Sequence, residues 1–214
     1  MTQAPLRLVL VITSDTAFLE INKTPSLIRA IQGLRENWPT LPLTVCVSPQ
    51  NSSQTYPILE KKRVAHEILV CEVNSPAELA KALGPDCQNY EGLIFHDASR
   101  PFTSSEQSER LIETFTEYDA VRPAIAFTET LKIVGSGGSI KQTIDRTKVK
   151  RISTPEIIRT SAIDPNGNDA GWMVPLKKGA KTHHVEGTPE GLRINSVAER
   201  DLLESFLHWK QTSS

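Results

Sequence analysis

A mainly parallel α/β sheet is the fold class this sequence predicts, and three observations predict it. Short apolar runs at Leu6 to Thr13, Leu43 to Ser48, Glu67 to Val73 and Gly92 to His96 are rich in Val, Ile or Leu with little polar alternation, as in strands covered on both faces. Helical patterns lie between them, at spacings that suit right-handed βαβ units. After Asp119 the order changes to strand following strand around a glycine-rich tip, which adds a mixed portion and a protruding hairpin.

Each element has its own reason. Pro25 to Glu36 carries Leu27, Ile28, Ile31 and Leu34 on one face, with Thr24 as the expected cap and Pro25 at the first helical position. Pro76 to Leu83 has Ser75 as its cap. Ser104 to Tyr118 opens on Ser104 or Ser105 and turns Leu111, Ile112 and Phe115 inward. Ala120 to Phe127 is a long strand. Leu131 to Val134 and Ser139 to Thr143 flank Gly135-Ser136-Gly137-Gly138 and read as a hairpin. A phosphate-cradling loop is the competing reading of that tetrapeptide, but no helix follows it and no Lys-Ser or Lys-Thr closes it. Thr154-Pro155 reads as a helix start, Asp164 to Asp169 as a polar turn, and Gly171 to Lys178 as a short helix broken by Pro175. His184 to Glu186 and Leu192 to Asn195 read as closing strands. Ala198 to Trp209 reads as an amphipathic helix burying Leu202, Leu203, Phe206 and Trp209.

A chain of 214 residues without repeat or linker is expected to form one domain over 1–214. Its formal charge of -1 gives no electrostatic case for nucleic acid or a membrane surface. The first apolar run is too short to span a bilayer and has no signal-peptide cleavage pattern, so a cytoplasmic protein is expected. Cys46, Cys71 and Cys87 stand at no metal-ligand spacing, and the first two are expected to be buried. His183 and His184 have no partners at ligand spacing, and Lys177, Lys178 and Lys181 read as a solvated face.

The chemistry concentrates in Phe95-His96-Asp97-Ala98-Ser99-Arg100-Pro101-Phe102, at the end of the fourth apolar run. Ligands of open α/β sheets bind outside the carboxyl ends of the strands. An Asp with an Arg three residues on can hold a metal or hydroxyl with one and a phosphate oxygen with the other. The plainer alternative is that Asp97 and Arg100 pair with each other and Pro101 ends the loop.

Several segments together resemble one family, the 2-C-methyl-D-erythritol 4-phosphate cytidylyltransferases of isoprenoid biosynthesis. The octet is similar to that family's His-Asp-Ala-Ala-Arg-Pro. Glu129-Thr130-Leu131-Lys132 resembles Asp-Thr-x-Lys with Glu for Asp. Thr143-Ile144-Asp145-Arg146, eight residues before Thr154 of Thr154-Pro155-Glu156, resembles Thr-x-Asp-Arg followed by Thr-Pro-Gln. Val185-Glu186-Gly187 to Arg193, then Asp201-Leu202, resembles the Glu-Gly … Asn-x-Lys-x-Thr … Asp-Leu ending, with Arg193 for the Lys and Asn195 for the Thr. The resemblance implies a Rossmann-like nucleotidyltransferase sheet, a homodimer, and residues 128–146 as the dimerisation arm. It implies that Asp97, Thr130, Arg146 and Thr154 face a phosphorylated polyol, and that Arg100 and Arg193 lie near nucleotide phosphates. Asp97, Arg100 and Arg193 would be catalytic, with Asp97 also the ligand of Mg²⁺ brought in with CTP. Thr154 as a mere helix cap and Arg146 as an arm-to-arm salt bridge remain open.

Two departures bear on activity. The family's Ala-Ala-Gly-x-Gly-x-Arg loop after the first strand is replaced by Ile12-Thr13-Ser14-Asp15-Thr16-Ala17-Phe18-Leu19-Glu20, which has no glycine and no basic residue before Lys23. A triphosphate needs closely approaching backbone N–H groups and cations, and Asp15 and Glu20 repel it. Lys23 reads as part of a turn before the helix. The base-reading Gly-Gly-x-x-Arg-x-x-Ser segment is replaced by Val73-Asn74-Ser75-Pro76-Ala77-Glu78-Leu79, where Pro76 fixes a helix start. The sequence therefore leaves three functions open: a cytidylyltransferase with an impaired nucleotide site, a catalytically inactive paralogue that binds or regulates as a dimer, and a ribitol-5-phosphate cytidylyltransferase.

Overall fold

The computed structural model describes residues 5–87 and 89–212. The chain opens with β1 (Leu6–Ile12), every residue of which is buried. A short 3-10 turn over Asp15–Phe18, the small ladder of β2 (Glu20–Ile21) and β3 (Thr24–Pro25), and α1 (Ser26–Asn37) follow. Then come β4 (Leu43–Val47), α2 (Pro49–Lys61), β5 (Glu67–Val70), α3 (Pro76–Ala82), α4 (Gly84–Cys87), β6 (Gly92–Asp97) and α5 (Ser105–Phe115). The second half is β7 (Ala120–Ala126), β8 (Leu131–Val134), β9 (Ile140–Ile144), β10 (Lys150–Ile152), β11 (Glu156–Arg159), β12 (Thr182–Glu186) and α6 (Val197–Thr212).

The sheet runs β10-β7-β11-β6-β1-β4-β5, with β12 also paired to β7. The β1, β4, β5 and β6 pairings are parallel, as the alternation of apolar runs and helices predicts. β11 inserts antiparallel between β6 and β7, and β10 adds antiparallel to β7, so the sheet is mixed at that end. Buried clusters cover both faces. One joins Leu8, Leu10 and Ile94 to Leu27, Ile31 and Leu34 of α1 and Leu111 and Phe115 of α5. The other joins Val9, Val11 and Phe95 to Leu79 and Leu83 beside α3. The continuous apolar runs of β1 and β6 follow from this double covering.

The hairpin forms where the sequence places it: β8 pairs with β9 in a ribbon separate from the main sheet. Gly137 and Gly138 at its tip have φ of 84° and 81°, values that side chains rarely tolerate. Ile133, Val134 and Ile140 on the ribbon are exposed.

Several sequence expectations are corrected. Thr154-Pro155 leads into β11, because Ile157 and Ile158 are claimed by Leu93 and Ile94 of β6 and by β7. Gly171 to Lys178 is irregular chain: Trp172 lies on the Arg122 guanidinium, 3.6 Å from its ring centre, and the Pro175 carbonyl accepts the Asp164 N–H. Leu192 to Asn195 is not a strand; its Ile194 N–H donates to the Ser99 carbonyl at 2.9 Å. α6 forms, but Leu203 alone of its four expected core residues is buried, while Leu202, Phe206 and Trp209 are exposed. Thr24 does not cap α1, whose cap is Pro25 without a side-chain bond. Ser75 and Ser104 do cap their helices, accepting from Glu78 and Gln107 N–H groups. Cys46 is buried, whereas Cys71 is only partly so. α2 and β10 have no counterpart in the sequence reading.

Candidate active site

The site stands at the carboxyl ends of β1 and β6, which pair in parallel with Val11 beside Asp97. Asp97 is 4% exposed. Its Oδ1 accepts from the Thr13 hydroxyl and from the Ser99 N–H, each at 3.0 Å. Its Oδ2 accepts from Arg193 Nε at 2.7 Å, a charge-assisted bond that fixes the guanidinium. Arg193 also donates from Nη2 to Thr13 Oγ1 at 3.2 Å and from Nη1 to the Asn195 side-chain oxygen. Three distant stretches of chain thus meet at one carboxylate.

Behind it, His96 is fully buried. Its Nε2 lies 2.9 Å from the Arg100 carbonyl, which can only accept, so Nε2 carries the proton. Nδ1 then accepts the Thr154 hydroxyl at 3.0 Å, and Thr154 Oγ1 accepts the Asp97 N–H at 3.2 Å. Burial lowers the imidazole to about 4, against smaller upward pulls from the Arg100 carbonyl and from Asp97. His96 is therefore neutral at neutral pH. The Thr154 hydroxyl is used internally, behind Asp97.

Arg100 works as a buckle. Its Nη1 donates to the Gly191 carbonyl at 2.5 Å and to Ser153 Oγ at 3.2 Å, and Nη2 reaches the Ile152 carbonyl at 3.4 Å. Its pairing with Asp97, left open by the sequence, is not made: Asp97 takes Arg193 instead. Thr130 and Arg146 lie on the exposed hairpin, where Arg146 Nη1 donates to the Thr128 carbonyl at 2.6 Å. The structure thus gathers Asp97, Arg193 and Thr154 around one centre, ties Arg100 just beneath, and leaves Thr130 and Arg146 on the ribbon.

The segment after β1 is closed on itself. Ser14 caps the 3-10 turn and Ala17 is fully buried. The Thr16 hydroxyl donates to the Ile194 carbonyl at 2.8 Å and lies 3.0 Å from Ser99 Oγ. Asp15, exposed, accepts from Asn51 at 2.9 Å. Lys23 sits with Asn22 in the tight β2–β3 turn, at φ of 61° and 47°, outside that segment. Thr13 and Thr16 are residues of this site that sequence reasoning passed over, and His96 and Ser99 stood in the octet without a role. The one available signal was position: Thr13 and Ser99 are the first hydroxyls past the carboxyl ends of β1 and β6.

Among the described residues there is no all-protein cage for Mg²⁺: no group of three or more His, Cys, Asp or Glu is placed to hold a metal. An ion brought in with CTP would have Asp97, which already receives three hydrogen bonds, as its protein ligand beside the nucleotide's phosphates. His183 and His184 stack in line with Tyr118, with ring centres 4.5 Å and 5.7 Å apart.

Against known proteins, the family model described as IspD, 2-C-methyl-D-erythritol 4-phosphate cytidylyltransferase, matches residues 11–203. The chain belongs to this family. A 2-C-methyl-D-erythritol 4-phosphate cytidylyltransferase of Nocardia farcinica is 26% identical over 203 residues, covering 91% of this chain and 86% of the relative. One of Geobacillus thermodenitrificans is 24% identical over 147 residues, covering 68% of this chain and 64% of the relative. The matched part is thus a little under two thirds of the Geobacillus relative, and a smaller share still of bifunctional relatives. The crystal structure of 4-diphosphocytidyl-2C-methyl-D-erythritol synthase from Anaerococcus prevotii superposes with a TM-score of 0.75 at 16% identity, over 95% of this chain and 96% of that one. The fold is accordingly the Rossmann-like nucleotidyltransferase fold of the cytidylyltransferase family. No helix among the described residues is long and apolar enough to cross a membrane.

Proposed function

We propose that this cytidylyltransferase-family chain binds a phosphorylated polyol as a homodimer and transfers cytidylyl groups slowly or not at all. The observation that carries this reading is the closed Ser14 to Leu19 turn, tied down by Thr16 to Ile194 and bearing Asp15 where a triphosphate would lie. Nucleotidyl transfer depends almost wholly on positioning and charge neutralisation. Loss of one transition-state cation costs about 3 kcal/mol, roughly a hundredfold in rate. Arg193, which the resemblance places near nucleotide phosphates, is held by Asp97 with its side chain 30% exposed, which supports a retained phosphate contact. With the nucleotide site closed, we assign that contact to the polyol phosphate. In the homodimer, Arg146 and Thr130 of the arm approach the partner's ligand, and the exposed Ile133, Val134 and Ile140 are buried against the second copy.

Calorimetric titration with CTP and Mg²⁺ tests the nucleotide side. The expected result is no heat up to millimolar CTP. Micromolar binding, together with pyrophosphate release when 2-C-methyl-D-erythritol 4-phosphate is added, overturns it and makes the chain a working cytidylyltransferase; release with ribitol 5-phosphate alone changes the acceptor. Replacing Arg146 by Ala is expected to weaken polyol-phosphate binding about tenfold, the worth of one charge-assisted hydrogen bond, with the dimer intact by sedimentation. An unchanged affinity removes Arg146 from the site.

A further inference from the structure

Arg193 has more donors than its neighbours use. A guanidinium carries five N–H groups. One goes to Asp97, one to Thr13 and one to Asn195, so two remain, one on each terminal nitrogen, without an acceptor among the described residues. The side chain is 30% exposed and borders a groove of about 840 Å³ between α6 and the Thr188 to Ile194 segment. That volume lies within the range of small-ligand sites.

The groove is far more apolar than a hydroxylated ligand calls for. Phe102, Leu192, Leu202, Leu203 and Phe206 line it, and Leu202 and Phe206 belong to the face of α6 that fails to reach the core. Three carboxylates stand around it. Glu106 holds Arg110 at 2.7 Å, Glu199 accepts the Asn195 N–H at 2.5 Å, and Glu190 lies on the rim. A second negative charge away from Arg193 is therefore repelled. The fork favours one anionic head, and the walls favour an uncharged apolar body.

We infer that this groove takes a phosphate monoester with an apolar tail, its head on the two free N–H groups of Arg193 and its tail along Leu192, Leu203 and Phe206. The inference rests on the reading of Arg193 as a phosphate contact. It adds that such an amphiphile competes with a polyol phosphate for that guanidinium.

The test is calorimetric titration of the full chain with n-octyl phosphate below its micelle threshold and, separately, with inorganic phosphate. Octyl phosphate is expected to bind at least tenfold more tightly. Phe206→Ser, at an exposed position, is expected to remove that advantage while leaving inorganic phosphate unchanged, and Arg193→Gln to abolish both. Equal affinity for the two probes, or an advantage that survives Phe206→Ser, overturns the inference. If polyol phosphate binds and octyl phosphate gains nothing, this inference alone fails; if no phosphate compound binds, the functional reading of Arg193 fails with it. Dissociation of a dimer by Phe206→Ser, with no octyl phosphate binding to the parent chain, shows a second copy covering the groove and likewise overturns it.

Discussion

Acidification from pH 6.5 to pH 4 is expected to cost the fold about 3 kcal/mol through His96 alone. An unfolded imidazole takes up its proton near 6.5, while the buried one resists until about 4. Across that window the unfolded chain holds more protons, so stability is complete above the upper value and falls as pH drops. The resistance is geometric as well as dielectric. Nε2–H already serves the Arg100 carbonyl, and a second proton on Nδ1 would face the Thr154 hydroxyl, forcing it to surrender its own donor role. Urea melts of the parent chain and of His96→Gln at several pH values separate this contribution from the other titrating groups. Glutamine keeps an uncharged donor toward Arg100, so the parent should lose more stability than the variant on acidification. Parallel pH curves for the two proteins would remove His96 as the cause.

Replacing Glu156 by Ala should be the most damaging single change to stability. Glu156 and Arg122 are paired at 2.7 Å with side chains 4% and 9% exposed. Burial raises the Glu156 carboxyl while the Arg122 guanidinium opposes that rise. The other Glu156 oxygen accepts the Met173 N–H at 2.7 Å, and Arg122 also donates to the Gly171 carbonyl at 2.6 Å. The pair thus fastens the irregular segment around Trp172 to the sheet. Removing one partner strands a buried charge, at about 3–5 kcal/mol. In a chain of this length that lowers Tm by about 10 °C or more. Calorimetry checks the figure, and the double variant Arg122→Met with Glu156→Leu should recover much of the loss. A shift of only a degree or two for Glu156→Ala would mean that water reaches the Arg122 guanidinium.

What the sequence made legible follows from range. β1, β4 and β6 were readable because strands covered on both faces are largely apolar. β5, partly exposed, was readable from its Ile-Leu-Val run, and of the helices between these strands α3 carries the cap its sequence predicts. β11 was misread because an apolar pair after Thr-Pro suits a helix or a strand equally, and the choice is made by β6 and β7, far away in sequence. α2 was invisible: Pro57 lies within it and only Thr55 and Leu59 are buried. The amphipathic pattern of α6 was genuine, but periodicity cannot say whether an apolar stripe meets a core or an open groove. At the site, motif reading located Asp97 and Arg193 without revealing that they pair. It gave Thr154 and Arg100 ligand-facing roles, while in the structure the Thr154 hydroxyl donates to His96 and Arg100 Nη1 donates to Ser153 and Gly191. Side-chain partners of that kind are tertiary facts.

The strand order also sets a timetable. The β1–β4 and β4–β5 pairings join neighbouring stretches of chain, but β6 must return to β1, β11 must slip between β6 and β7, and Arg193 must cross back to a carboxylate 96 positions earlier. During synthesis the sheet can begin to form long before the guanidinium has left the ribosome. Asp97 therefore spends that interval without Arg193, and the ion pair at the strand ends is among the last contacts the growing polypeptide makes.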